Sequence, residues 1–341
     1  MIRFKEIDTF RGLAAIMVVL FHCTMSRPNY DSILRFGITG VELFFILSGF
    51  VIFNSILRIE NGKKFIYYRI TRLYPTYWFC VCLTFSLTVI YALFKQNFVL
   101  KEAITQLVGN LTMLQFYLGI PNIDGPYWTL IIELLFYTLI WLLQITSLQK
   151  HIILIHIFLS ITSVILTNYF LDNPIAAFII YKIPIFQFIP VFLTGILFFS
   201  IYTGRIKKQL GYMLILFSVL CQISLFHVAG YVSHVINQKE YGIMLFIFAI
   251  ILTLAIENKL AWVINPYTLF LGQVSYPLYL VHQYISKSIL IPIFFNKLGF
   301  NFWLVLFGIT IPLLLLLSNF ITKKIEGPSI NYFRKRLNLT P

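Results

Sequence analysis

Long apolar runs separated by short polar stretches recur along the whole chain, each long enough at about 1.5 Å per residue to cross a hydrocarbon core of roughly 30 Å. Ten such runs lie near 8–26, 36–56, 74–95, 127–147, 152–170, 184–203, 210–227, 241–258, 267–294 and 302–322. They predict an all-α, polytopic membrane protein of about ten transmembrane helices. The segment 102–120 is amphipathic instead, which fits an interfacial or re-entrant helix on the outer side, with an eleventh span as the alternative. Ten crossings put both chain ends on one side. Placing the termini in the cytoplasm gathers most of the 26 Lys and Arg residues into cytoplasmic segments, as positive-inside topology requires.

Composition agrees with this reading. The chain is 59% hydrophobic, with a mean hydropathy of +0.87, and leaves no stretch for a soluble domain. Residues 1–325 are expected to form one transmembrane domain, followed by a short basic cytoplasmic tail, 326–341. The formal charge of +14 is explained by those loops, so nucleic acid is not an expected partner and the lipid bilayer is. Asp8 and Arg11 interrupt the first run, and no signal peptide is expected. Cys23, Cys80, Cys82 and Cys221 lie in apolar stretches without ligand spacing, which reads as packing and no metal. The chain has no phosphate-cradling Gly-rich loop, HExxH, paired CxxC or GxSxG, which disfavours ATP-driven transport and soluble-type serine hydrolysis.

The candidate chemistry begins in the first run. Arg11 and His22 are eleven residues apart, about three helical turns, so both sit on nearly one face. Ionisable groups in lipid usually face a cavity or a partner, and this pair suggests a polar track running inward; a snorkelling arginine with a packed histidine is the structural alternative. Glu42 falls at a depth near that of His22 on the next span, where it could orient an imidazole acting as general base, or form a buried structural pair. Glu133 lies below Trp128 with Tyr137 one turn further on. Ser275, Tyr279 and His282 share a face around Pro277. His22, Glu42, Glu133 and His282 thus have similar estimated depths, which predicts one polar chamber nearer the outside. Arg69 and Arg72, at i and i+3, can fork onto phosphates or simply mark a cytoplasmic helix end. His151, His156, His227 and His234 read as solvent or interface residues.

Taken in order, IDTFRGLAAIMVVLFH, GVELFFILSGF, YYRITRLYPTYW, PYWTLIIELLFY and VSYPLYLVH resemble the motifs of the acyltransferase 3 family of integral membrane O-acyltransferases, over nearly the whole chain. The resemblance implies an acyl-CoA donor, acetyl-CoA as the default. It implies a surface glycan or lipid-linked oligosaccharide as acceptor, and a place in the bacterial cytoplasmic membrane. It assigns catalysis to His22, Arg11, Glu42 and Glu133, donor binding to Arg69 and Arg72, and substrate contacts to Trp128, Tyr137, Ser275, Tyr279 and His282. Larger members carry an esterase-like domain after the last span; about twenty residues follow it here, so either the chain completes transfer alone or a separate extracytoplasmic transferase or esterase takes part. A transporter or flippase of lipid-linked sugars is the principal alternative. It draws on the broken helices at Pro184, Pro190 and Pro277, although no internal repeat supports it.

Overall fold

The computed structural model describes residues 4–25, 27, 33–59, 61–94, 96 and 99–336. Those residues form helices and connections with no strand among them. In chain order the helices are α1 (Lys5–Thr24), α2 (Gly40–Ile56), α3 (Gly62–Phe94), α4 (Leu100–Leu111), α5 (Trp128–Ile145), α6 (Ile152–Tyr169), α7 (Pro174–Lys182), α8 (Ile189–Tyr202), α9 (Lys208–Ser224), α10 (Gln238–Ile256), α11 (Pro266–Tyr284), α12 (Ile311–Ile321) and α13 (Gly327–Arg336). Eight helical stretches are long and apolar enough to cross a bilayer, and α8 and α9 are shorter apolar helices. Together they coincide with the ten predicted runs. The apolar side chains left exposed, such as Phe94, Phe158, Met213 and Ile250, then face lipid, where no backbone group is left for water to satisfy.

Segment 102–120 contributes only α4, whose 12 residues span about 18 Å, too little to cross. Its end is held from α3. Tyr77 and Tyr74 donate their hydroxyls to the carbonyls of Asn110 and Thr112 at 2.7 and 3.0 Å, and the Trp78 indole N–H donates to that of Leu111 at 2.9 Å. These bonds satisfy carbonyls that a helix C-terminus leaves free. The Asn110 amide then donates to the Pro121 carbonyl at 2.9 Å and accepts the Ile123 N–H at 3.0 Å. The loop is thereby pinned so that Asp124 and Trp128 enter the bundle.

Two glycine-mediated crossings bring the central helices together. A Cβ at Gly272 of α11 would lie 2.2 Å from the Asp8 carbonyl of α1, and one at Gly12 would lie 2.6 Å from the Gly272 nitrogen. The second crossing joins α2 and α8, where a Cβ at Gly195 would fall 1.9 Å from the Ile46 carbonyl and one at Gly49 2.2 Å from that of Phe192. Between helices in lipid, attraction comes from close packing, and small residues permit it. These crossings set α1, α2, α8 and α11 as the frame of the site.

Two long helices are irregular. π-helical turns extend α11 over Ile285–Leu290 and Pro292–Lys297, lead into α12 over Leu304–Thr310, and join α12 to α13 over Thr322–Glu326. The segment expected as a tail is therefore helical as far as Arg336, and the Arg334 guanidinium lies 5.8 Å over the Tyr68 ring of α3.

Candidate functional site

The side chains singled out from the sequence, apart from the buried His282, line two cavities, not one. The first is bounded by Arg11, Arg69, Arg72, Glu133, Tyr137 and Ser275 among others. The second is bounded by His22, Glu42, Trp128, His234 and Gln283 among others. They are called here the arginine and histidine cavities. α1 serves both, because Arg11 and His22 share a face about 16 Å apart along the helix. The single chamber expected for His22, Glu42, Glu133 and His282 is not found. Glu133 lies about one and a half turns into α5 from Trp128, deep enough to pass from the histidine cavity into the arginine cavity.

His22 and His282 touch. The His22 Nδ1 lies 2.9 Å from the His282 Nε2, and the His282 Nδ1 lies 2.8 Å from the Tyr279 carbonyl oxygen. A carbonyl only accepts, so the His282 Nδ1 carries the proton and its Nε2 is a lone pair in the neutral ring. The His22 Nδ1–H must then donate to that lone pair. The consequence is chemical: the His22 Nε2 is left unprotonated as an acceptor. His282 is wholly buried and His22 borders the cavity, so His282 is the orienting partner and His22 the group able to meet a ligand.

Glu42 was expected to orient the His22 ring; its bonded partner is instead Tyr241 of α10, whose hydroxyl donates to the Glu42 Oε1 at 3.2 Å. Gln222 of α9 donates both to that hydroxyl and to the Gln187 carbonyl, each at 3.1 Å. The second carboxylate oxygen, Oε2, is buried without a partner while Glu42 borders the histidine cavity. Glu42 is therefore anchored from behind, with its second carboxylate oxygen buried in the wall of His22's cavity. Trp128 stands edge-on to Tyr231 at 5.6 Å, with Gly230 in the left-handed region at φ +62, where a Cβ would meet the indole at 2.6 Å.

In the arginine cavity three guanidiniums face one lining carboxylate. Arg69 is buried, donates Nη2 to Ser55 Oγ, and keeps an Nε with no partner; the faces of Phe65 and Tyr137 lie 5.3 and 5.4 Å from its guanidinium. The Tyr137 hydroxyl donates to Glu133. Arg72 and Arg11 are also within electrostatic reach of Glu326, from the π-helical turn beyond α12. The Ser275 hydroxyl donates within its own helix, to the Gly272 carbonyl at 2.8 Å. A cationic cavity with a donor nitrogen to spare suits a polyanion. No group of three or more His, Cys, Asp or Glu able to hold a metal exists among the described residues.

Sequence reasoning passed over Asp124, Thr129 and Gln283, although each lies within four positions of a residue it named. The buried Asp124 carboxylate accepts the Tyr284 N–H at 3.1 and 3.3 Å, and the π-helical register of α11 begins at the next residue, Ile285. Burial pushes this carboxyl up to about 7, against the pull of the Tyr284 and Gly125 backbone N–H groups. Thr129 bonds Tyr279 across the bundle. His156, expected at an interface, is instead fully buried in α6 against Phe136, and His234 borders the histidine cavity. Of the four cysteines, three are buried and Cys82 is exposed; all are free thiols.

Comparison with known proteins adds an independent finding. The family described as "Acyltransferase domain" (acyltransferase 3) matches residues 4–319. The chain is also 24% identical over 279 residues to "Putative acetyltransferase ORF330" of Acidianus two-tailed virus, covering 81% of this chain and 82% of that one. No solved structure matches.

Proposed function

The chain belongs to the acyltransferase 3 family, and from that premise we propose that it moves an acyl group, acetyl in the simplest case, from cytoplasmic acyl-CoA to a hydroxyl of a surface glycan or lipid-linked sugar at the outer side of a bacterial cytoplasmic membrane. The observation that carries this reading is the bonded pair His22–His282. It leaves the His22 Nε2 as a base in a cavity large enough for a small-molecule acceptor.

The arginine cavity receives the donor. Arg69 and Arg72 bind its phosphates, Arg69 with its spare Nε, and Arg11 lines the passage taken by the pantetheine arm. The acceptor enters the histidine cavity and packs a sugar face on Trp128, with Glu42 accepting a hydroxyl. His22 Nε2 takes the proton of the attacking hydroxyl as its oxygen bonds to the thioester carbonyl carbon. The C–S bond breaks, and His22 returns that proton to the departing thiolate. The products are an ester and free thiol, with no net proton change. Tyr279 contacts substrate between the two cavities, Ser275 contacts it on the arginine side, and Glu133 with Tyr137 holds that side in register.

The test is mass spectrometry of surface glycans from three strains: intact, gene deleted, and His22→Ala. Loss of one ester-linked acyl group in both altered strains is the expected result and identifies acceptor and acyl group together. An unchanged acyl pattern in the His22→Ala strain refutes the mechanism. Whole glycan missing or trapped inside, its acylation unaltered, favours a flippase instead.

A further inference from the structure

Two residues, Val41 and Tyr279, line both cavities. Tyr279 is the larger of the two, and its phenol ring stands at the boundary between the cavities. That ring is tethered. The Tyr279 hydroxyl lies 2.8 Å from Thr129 Oγ1, and both hydroxyls reach the Pro126 carbonyl, Thr129 at 3.0 Å and Tyr279 at 3.5 Å. Phe44 stands edge-on to the same ring at 5.4 Å and limits its swing from the α2 side. Hydrogen bonds made only by the hydroxyl at the ring's tip form a latch that a rotamer change can break without moving a helix. The backbone at Tyr279 must meanwhile stay in place, because its carbonyl orients His282 and through it His22.

We propose that Tyr279 is a hinged septum: its ring separates the two cavities at rest, swings aside for the acyl group, and restricts passage to short acyl chains. The closed ring keeps the cationic cavity from exchanging solvent with the histidine cavity, so a thioester waiting beside the arginines is shielded from water on the far side. The opened ring leaves a gap set by Phe44 and Val41, wide enough for a short chain. The choice of acyl group thereby falls to a residue outside the base itself. The size filter rests on the acyltransfer reading; the septum does not.

Ser48 lines the arginine cavity and provides the probe. In full-length protein with Cys23, Cys80, Cys82 and Cys221 replaced by serine, Ser48→Cys offers one thiol, and a membrane-impermeant methanethiosulfonate is added only from the face bearing His234. With Tyr279 intact, labelling is expected to be slow. Tyr279→Ala should raise its rate at least tenfold, and Tyr279→Phe, which keeps the ring and loses the latch, should fall between. Labelling that is already fast with Tyr279 intact, or unmoved by both variants, overturns the septum. Because this readout needs neither donor nor acceptor, it stands apart from the glycan measurement that decides the acyltransfer reading. In active membranes, Tyr279→Ala should raise hexanoyl over acetyl transfer at least tenfold while Tyr279→Phe does not. An unchanged ratio overturns the size filter.

Discussion

Replacing His282 by alanine removes the acceptor of the His22 Nδ1–H without touching the base itself. What is lost is one part-buried hydrogen bond, at 2.9 Å, and the fixed tautomer it imposes. A buried donor left unpaired costs about 1–3 kcal/mol, and at about 1.4 kcal/mol per factor of ten this corresponds to a fall in kcat of about five- to 150-fold. Removing the base should cost more: general-base catalysis contributes about 10²–10⁴-fold. The expected order is therefore intact, then His282→Gln, then His282→Ala, then His22→Ala. Glutamine ranks second because its Oε1 can reach the place of the imidazole Nε2 and accept the same proton. The assay follows isotopically labelled acyl ester formed in membranes from saturating acyl-CoA, with protein amount normalised by quantitative blotting. Two results refute the reasoning. Full activity in His282→Ala would mean that His22 needs no orienting partner. A loss equal to that of His22→Ala, with no rescue by glutamine, would make His282 the base.

Three further outcomes follow from the same geometry. Asp124→Leu leaves the buried Tyr284 N–H without its acceptor and should lower kcat by about tenfold with little change in donor KM, whereas Asp124→Asn keeps one accepting oxygen and most of the activity. Arg69→Lys replaces a planar fork between two aromatic rings by a point charge; it should raise the KM for acyl-CoA about tenfold or more, with kcat less affected, measured by initial rates across donor concentrations. Gly195→Leu forces a side chain against the Ile46 carbonyl and should cost about 3 kcal/mol or more, read as loss of monodisperse protein in detergent, while Gly204→Ala, whose added Cβ meets nothing within 4 Å, should behave nearly as the parent apart from a small backbone penalty at φ +67.

Hydrophobic length alone determined the class of this protein. An apolar run that must hide its own backbone in lipid has few options besides the helix, so the ten runs could be drawn from composition and came out as helices with shifted ends. Period and rise also placed Arg11 and His22 on one face, and residue chemistry singled out Arg69, Arg72, Trp128 and His282. The tertiary structure decided who meets whom. Depth counted along separate helices carries an error of about a turn and says nothing about rotation, so Glu133 and His22 were assigned one chamber when the α5 path puts them in two. Glycine crossings bring α1 against α11, joining residues some 260 positions apart in sequence, and α2 against α8, joining residues about 150 apart. That is why the imidazole beside His22 belongs to His282, why Glu42 turns to Tyr241, and why one tyrosine stands between two cavities. A hydrogen bond across the bundle depends on helix rotation and approach, which are set by packing summed over the whole molecule and are written in no single segment of the chain.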